Sequence, residues 1–454
     1  MLSVITSFLN QELFPFLVHF LNILWQLLKN WWWLVMPFLL WEPLLYLYHY
    51  YINERWDKTI KRILLEVKIP KEIVKPIRAM DQVFAGFHAI HDIPTWREKW
   101  IEGVFQLSLA FEIVSLEGKI HFFIRTPEIF RQVIESNIYS QYPEAEISVV
   151  DDYTKRVPQN IPNREWDLWG VEFINAKDEI YPLKTYRQFE IESEKEEQKK
   201  VDPLSDFLEG LSALGPGEQM WLQIIARPVL GRDYPWQEKG RALADKLARR
   251  PEKKKPKPAL VRFIDSFLTA IADGIQSLFN PEALKRKEAG PSKKEEELIP
   301  PEMKLTPGER EVVKAIEEKL AKFGYLCCVR FVYLGKKEVF LKPKVKVVFS
   351  FFKELSTENL GGLKPWSKTM TKIKSPVFWF LDDRRLYLRK RRMFRYYTKR
   401  WFPLFPRGGK TYILNTEELA TLYHFPGATA VPAMGVSRVE TKKKGVPTNL
   451  PTEV

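Results

Sequence analysis

Two long apolar runs dominate the N-terminus. They cover residues 13–28 and 31–52, and their charged interruptions are Lys29 and Glu42. The second run has about 22 residues, which is enough to cross a hydrocarbon layer of roughly 30 Å as a helix. The pattern predicts a membrane anchor over residues 1–55 with one or two transmembrane helices.

Aromatic residues flank the second run at both ends, as interfacial belts flank a membrane-spanning helix. The alternative is a buried core helix with an amphipathic leader, and Glu42 favours it because a carboxylate at mid-membrane is costly. The predicted anchor residues are Trp31, Trp32, Trp33, Tyr48, Tyr50 and Tyr51.

The charges around the run predict its orientation. Arg55, Lys58, Lys61 and Arg62 follow it, whereas Lys29 alone precedes it. Because the positive side of a membrane helix stays in the cytoplasm, we expect the bulk of the chain to be cytoplasmic.

Beyond the anchor, the pattern changes to short strands and helices. Two strand-like runs, 104–115 and 119–126, surround Glu117-Gly118, which predicts a β-hairpin. A helix and a further strand follow. This order is typical of an α+β fold of the ferredoxin-like kind, and we assign residues 56–200 to a first α+β unit.

A second stretch repeats the same order of elements. A helix over 202–214 precedes a strand over 218–229, and Thr306 with Glu309 predicts a capping box before a later helix and strand. We therefore predict a second ferredoxin-like α+β unit, made of residues 201–229 and 306–365.

Residues 230–305 differ in composition from both units. They contain Pro-rich and charge-rich tracts, which predict a mobile basic insertion. Residues 260–279 have apolar positions at helical spacing, which predicts an amphipathic helix that docks on a membrane, on a partner or on the protein's own core. Residues 366–454 are predicted to form a basic helix and a C-terminal extension.

The composition adds a strong positive charge. The chain has 454 residues, and its 71 Lys and Arg exceed its 57 Asp and Glu, so the formal net charge is +14. This excess favours polyanionic partners, either nucleic acid or an anionic lipid surface. Cys327 and Cys328 are adjacent and poorly placed to bridge each other, so we expect no disulfide framework.

A short string near the C-terminus imitates a phosphate-binding loop. Residues 409–411, Gly-Lys-Thr, end like such a loop, but Leu404 stands where its first glycine belongs and Pro406 removes an amide donor. The residues after the string predict a strand, whereas a phosphate loop leads into a helix. We interpret the match as accidental.

Other signs of chemistry are weak. His88 and His91 are spaced like metal ligands, but a metal site needs three or four convergent ligands and no second cluster accompanies them. We therefore predict a protein that is not an enzyme, with no catalytic residue, no cofactor and no metal site.

A basic segment, residues 384–401, alternates cations with aromatic residues. Such a helix can neutralise phosphates while its rings stack. Its partner is nucleic acid, anionic lipid or an acidic protein surface; the alternative is a solvated basic helix with an aromatic face on the core. The candidate polyanion-binding residues are Arg384, Arg385, Arg389, Lys390, Arg391, Arg392, Arg395, Lys399 and Arg400.

Several stretches resemble one family. "WDLWGVEFINAKDEIYPLKTYRQFE" (166–190), "YILNTEELATLYHFPG" (412–427) and "VPTNLP" (446–451) are similar to the membrane-linked N-terminal region associated with HerA/TraG-type ATPases. These ATPases belong to bacterial type IV secretion-like conjugation systems. The ATPase core itself is not present in this chain.

The resemblance implies a non-catalytic scaffold at the bacterial inner membrane. Such a protein would recruit or orient a separately encoded HerA/TraG-type ATPase for DNA transfer, and it would be a candidate homo-oligomer. The alternative function is a membrane-tethered nucleic-acid-binding protein that uses residues 384–401.

Overall fold

The computed structural model describes residues 14–70, 75–189, 202–250, 305–374, 379–403, 410–426 and 436. In the first helix, some side chains, those of residues 31–33 among them, lie outside the described part. The chain divides into two compact units, which are described separately. The smaller unit contains the described residues of Met1–Ile63, His91–Leu107 and Pro127–Ile129, and the rest form the larger unit.

The smaller unit is built on one long helix, Phe14–Asp57 (α1). Within the described ranges, no helix is both long enough and apolar enough to cross a membrane. The prediction of an N-terminal transmembrane helix is therefore wrong. The apolar sequence of α1 is interrupted by Lys29, Pro37, Glu42 and Pro43, and by Trp and Tyr rings, which are only partly apolar.

The predicted aromatic belts both lie on α1. Trp31, Trp32 and Trp33 lie within this helix, and their side chains are outside the described part. Tyr50 and Tyr51 are exposed, as is Tyr48.

The C-terminal half of α1 is held by the turn that contains Trp100. The Tyr48 hydroxyl donates a hydrogen bond to the carbonyl oxygen of Trp100 over 2.9 Å. The Trp100 ring also packs edge-on against the His49 ring, with centroids 4.2 Å apart. These contacts fix this end of the helix inside the smaller unit.

The larger unit confirms the α+β class, and its core is one antiparallel sheet. The strands are Arg62–Lys68 (β1), Leu109–Leu116 (β2), Lys119–Pro127 (β3), Glu146–Val150 (β4), Trp166–Asn175 (β5), Glu218–Val229 (β6), Gly324–Lys336 (β7), Leu363–Pro365 (β8) and Tyr412–Asn415 (β9). The helices are Arg78–Phe87 (α2), Arg131–Gln141 (α3), Ser205–Ser212 (α4), Trp236–Leu247 (α5), Pro307–Leu320 (α6), Lys346–Glu354 (α7), Asp382–Thr398 (α8) and Thr416–Leu422 (α9).

The sheet consists of two four-stranded sets with the same internal order. The first set runs β4-β1-β3-β2 and the second runs β8-β5-β7-β6, with β9 beside β7. The first set follows the β-α-β-β-α-β order of ferredoxin-like folds, and the second follows it with α5 and α6 inserted between β6 and β7. The sets join where β2 pairs with β6. Strand β5 falls inside residues 56–200, the range predicted for the first unit, and it pairs with β7 and β8 of the second set.

The predicted hairpin is confirmed. Strands β2 and β3 pair across Glu117 and Gly118, which both have positive φ angles, 55° and 86°. Two consecutive positive φ angles belong to the turn that matches the twist of a two-residue hairpin. A Cβ atom at Gly118 would also lie 2.7 Å from the carbonyl oxygen of Leu214, so glycine fits best there.

The central strands are covered on both faces. Phe173 of β5 packs against Phe352 of α7, with ring centroids 4.0 Å apart, and Gly170 of β5 approaches Met393 of α8. Residues three apart on a strand point to opposite faces. Helices α7 and α8 therefore cover opposite faces, which explains why β6 and β7 are buried almost throughout.

The predicted insertion lies between β6 and β7. Its first part forms α5, which packs through the buried Trp236 beside Ile316 of α6. The predicted amphipathic helix 260–279 lies outside the described residues. The capping box of Thr306 and Glu309 is confirmed at the start of α6.

Candidate polyanion-binding face

Helix α8 carries the basic segment, and its apolar side chains hold it against one face of the sheet. Met393, Phe394 and Tyr397 are buried in a cluster with Trp221 of β6. Close packing requires a small residue underneath, because a Cβ atom at Gly170 would approach Met393 Cγ to 2.6 Å. The apolar positions of the segment thus decide which side of the helix faces solvent.

A row of buried polar side chains crosses the sheet beneath α8. Glu112, Gln223, Arg330 and Glu172 stand opposite one another on β2, β6, β7 and β5. Gln223 Nε2 donates to Glu112 Oε1 over 2.7 Å, and Arg330 Nε donates to Glu172 Oε1 over 2.7 Å. Gln223 Nε2 also donates to the carbonyl oxygen of Tyr397 over 3.2 Å, so the row reaches α8 itself.

Arg400 extends this network from the end of α8. Its side chain donates to Glu112 through Nε over 2.9 Å and through Nη2 over 3.1 Å. It also donates to Asp152 through Nη1 and through Nη2, the latter over 3.0 Å. Burial alone would lower the pKa of Arg400, but the Glu112 carboxylate and the bonds to Asp152 raise it well above its ordinary value.

Two of the nine predicted polyanion-binding residues therefore lie inside the fold. Arg400 is 6% exposed and Lys390 is 8% exposed. Lys390 Nζ pairs with Asp167 Oδ1 over 2.5 Å. Both side chains fix α8 to the sheet and its loops, and neither presents its charge on the outer surface of the helix.

Two others are half-buried. Arg389 donates to the carbonyl oxygen of Met370 over 2.8 Å, and Arg391 donates to the Tyr387 hydroxyl over 2.9 Å. Burial lowers the pKa of Arg389, and the neighbouring charge of Arg392 lowers it further. Both side chains are therefore only partly available to a partner on the outer surface of α8.

The remaining five side chains are exposed and form the basic face of α8. Arg392, Arg395 and Lys399 are spaced i, i+3 and i+7, which places them on one stripe of the helix. The five are Arg384, Arg385, Arg392, Arg395 and Lys399.

Exposed rings lie at the N-terminal end of the basic face. Trp379 is 73% exposed, Phe380 is 64% exposed and Tyr387 is 43% exposed. The sequence analysis did not single out Trp379 and Phe380. Their signal was the apolar stretch Trp379-Phe380-Leu381 before the charged residues, which is as typical of a core position as of an exposed one.

His88, Cys327 and Cys328 lie in the core of the larger unit. His88 is buried, its Nε2 lies 3.2 Å from the carbonyl oxygen of Val229, and its ring stacks on Phe323. Cys327 and Cys328 are buried free thiols. Within the described ranges, no three His, Cys, Asp or Glu side chains converge as metal ligands.

The phosphate-loop imitation leads into a strand. Gly409 lies outside the described residues, and Lys410 lies over the rings of Trp366 and Trp401. The strand β9 follows at Tyr412, so the predicted strand is confirmed.

The fold and this face define an α+β protein with two ferredoxin-like strand sets and a surface helix, α8, that carries a row of exposed cations. The chain belongs to the family described as domain of unknown function DUF8128, whose model matches residues 54–431. No curated protein matches the chain. The family match carries no link to HerA/TraG-type ATPases or to secretion systems.

Proposed function

We propose that this chain binds nucleic acid through the basic face of α8. The observation that carries the proposal is the exposed stripe of Arg392, Arg395 and Lys399 on a helix that the sheet holds in place. A phosphate backbone along the stripe meets several cations, and each neutralised phosphate releases counterions. The helix is already ordered, so binding costs less conformational entropy than a disordered basic tail would lose.

The burial of the apolar side of α8 favours nucleic acid over a lipid surface. A helix that lies in a lipid interface inserts an apolar face next to its basic face. The apolar face of α8, with Met393, Phe394 and Tyr397, is buried on the sheet. The exposed rings of Trp379 and Tyr387 suit stacking on unpaired bases.

A salt titration of DNA binding tests the proposal. The variant Arg392→Ala, Arg395→Ala, Lys399→Ala should bind a fluorescein-labelled single-stranded oligonucleotide more weakly than the wild type in fluorescence anisotropy. Each phosphate contact contributes about 0.7 to the slope of log affinity against log salt for single strands, so the slope should become shallower by about 2.

A control variant removes the same charge from the opposite face of the sheet. Lys342, Lys346 and Lys353 are exposed on or just before α7. Their triple alanine variant should leave both the affinity and the salt slope unchanged. An equal loss in this control would mean that binding follows net charge alone, and the proposal would be wrong. It would also be wrong if phosphatidylserine vesicles, and not the oligonucleotide, bound in a manner that required α8.

The sequence resemblance supplies a separate hypothesis. In it, the chain is a non-catalytic scaffold that recruits or orients a HerA/TraG-type ATPase, with a homo-oligomer as a further possibility. It stays a prediction from the resemblance, and the basic face of α8 would then dock on an acidic partner surface.

A further inference from the structure

A cleft opens beside the N-terminal half of α8, within the larger unit. Its volume is about 550 Å³. One wall is the loop before β5, and the opposite wall is α8. The loop is held by Asn163, whose side-chain oxygen accepts hydrogen bonds from the backbone N–H groups of Glu165 and Trp166 over 2.9 and 2.7 Å.

The lining of the cleft combines cations, a ring and an amide. Arg164 and Lys337 supply exposed positive charge, and Asn160 supplies an exposed amide. Tyr387 contributes its phenol ring from α8. Arg391 orients this ring, because its guanidinium donates to the Tyr387 hydroxyl and lies 5.7 Å from the ring centroid.

The acidic residues of the cleft do not cancel its positive charge. Asp167 is paired with Lys390 at 2.5 Å, so these two charges neutralise each other. Among the other described lining residues, three are cations, Arg164, Lys337 and Arg391, and one is an anion, Asp383. The cleft therefore keeps a net positive charge. A carboxylate at the rim accepts hydrogen bonds from amino or hydroxyl groups, which a nucleoside carries and a bare phosphate does not.

The cleft is continuous with the basic face of α8. Tyr387 and Arg391 are four residues apart and share one side of the helix. Arg392, the next residue along, begins the exposed stripe, so the stripe and the cleft lie on adjoining sides of α8. A strand along the stripe can turn into the cleft without leaving positively charged surface.

We infer that this cleft takes one unpaired nucleotide of a nucleic-acid strand whose phosphates lie along the basic face of α8. The inference rests on the proposed function and names its substrate class as single-stranded nucleic acid. The cleft has the size of small-ligand sites, and a base inside it stacks on Tyr387 while Arg164 and Lys337 contact phosphate. A base within a duplex is paired and stacked, so it does not enter.

The test compares single-stranded and duplex DNA of equal length. Tyr387→Ala should weaken binding of the single strand about 5- to 150-fold, which corresponds to the loss of one base stack, and should leave duplex affinity unchanged. Tyr387→Phe keeps the ring and should retain most of the affinity. Tyr139→Ala is the control, because Tyr139 is also an exposed tyrosine of the larger unit and lies on α3. Circular dichroism checks that each variant is folded.

The outcomes separate this inference from the proposed function. If the stripe variant loses affinity but Tyr387→Ala binds the single strand as tightly as the wild type, the cleft inference is wrong and the basic face stands. If Tyr387→Ala weakens single strand and duplex equally, the inference is also wrong. If the wild type binds neither form of DNA, the proposed function and the inference both fail.

Discussion

Replacing Arg400 with methionine is expected to lower the free energy of unfolding by about 3–5 kcal/mol. The substitution removes a cation that donates to two carboxylates, those of Glu112 and Asp152. Glu112 is fully buried, and without Arg400 its charge would have no cationic partner in the network described above. Removing one partner of a buried pair is costly because the remaining charge stays desolvated.

Guanidinium denaturation followed by tryptophan fluorescence measures this effect. Lys399→Met is the control, because Lys399 is the exposed neighbour of Arg400. Surface substitutions of this kind usually change stability by less than about 0.5 kcal/mol. The double variant Glu112→Gln, Arg400→Met should recover part of the loss. Equal stability of Arg400→Met and Lys399→Met would show that the buried network does not hold α8.

The effect of Arg400 should also depend on pH. Burial alone would raise the pKa of Asp152, but the hydrogen bond and charge of Arg400 hold it below its ordinary value. A carboxyl with a lowered pKa contributes stability above its unfolded-state pKa of about 3.9 and loses that contribution as the pH falls through the folded-state pKa. The difference in stability between the wild type and Arg400→Met should therefore be full near about pH 6 and should shrink below about pH 4. A constant difference over this range would contradict the role given to Asp152.

Replacing Lys319 with methionine should destabilise the fold by a similar amount, about 3–5 kcal/mol. Lys319 on α6 and Glu418 on α9 form an ion pair at 3.2 Å, and both side chains are almost fully buried. Lys319 Nζ also donates to the carbonyl oxygens of Glu179 over 2.8 Å and of Ile413 over 3.0 Å. The variant would remove this donor from both carbonyl oxygens and this cation from the buried Glu418 carboxylate.

A matched control lies on the same helix. Lys314 of α6 is largely exposed and pairs with Glu318, so Lys314→Met should change the midpoint of denaturation little. If both lysine variants denatured at the same guanidinium concentration, the buried pair of Lys319 and Glu418 would contribute no more to stability than the exposed pair. Loss of Glu418 in a Glu418→Gln variant should affect stability in the same direction as Lys319→Met.

Glu418 belongs to a stretch, residues 415–427, whose polar side chains have structural roles. In "NTEELATLYHFPG", Asn415 and Glu418 form a reciprocal capping box at the start of α9. The Glu418 carboxylate also accepts from the backbone N–H of Leu183 over 2.8 Å. His424 Nε2 lies 2.9 Å from Asp202. The polar residues of this stretch therefore join distant segments of the core.

Local patterns predicted much of the larger unit. The hairpin at Glu117-Gly118, the capping box at Thr306 and the strand of β9 each depend on residues close together in sequence. The partners of β5 could not be predicted in this way, because β5 pairs with β7 across more than a hundred residues. The prediction for α1 was wrong because polar residues and prolines interrupt its apolar run, although the run is long and has aromatic residues at both ends.

The candidate site shows the same division. The composition of residues 384–401 predicted a basic helix, and the structure has a helix there. The sequence did not distinguish buried from exposed cations, because the carboxylates that hold Lys390 and Arg400 are remote. Glu112 and Arg400, for example, are 288 residues apart. Only the tertiary fold decides which charges remain outside.

The seam between β2 and β6 has a consequence for dissection of this protein. It runs from Leu109 opposite Ala226 to Leu116 opposite Gln219, whereas the outer borders of the sheet are the short strands β4 and β8. Short border strands offer little backbone to foreign chains. In a fragment that keeps a single four-stranded set, β2 or β6 would become an edge strand with unpaired backbone groups and apolar side chains. We expect such a fragment to self-associate through that edge.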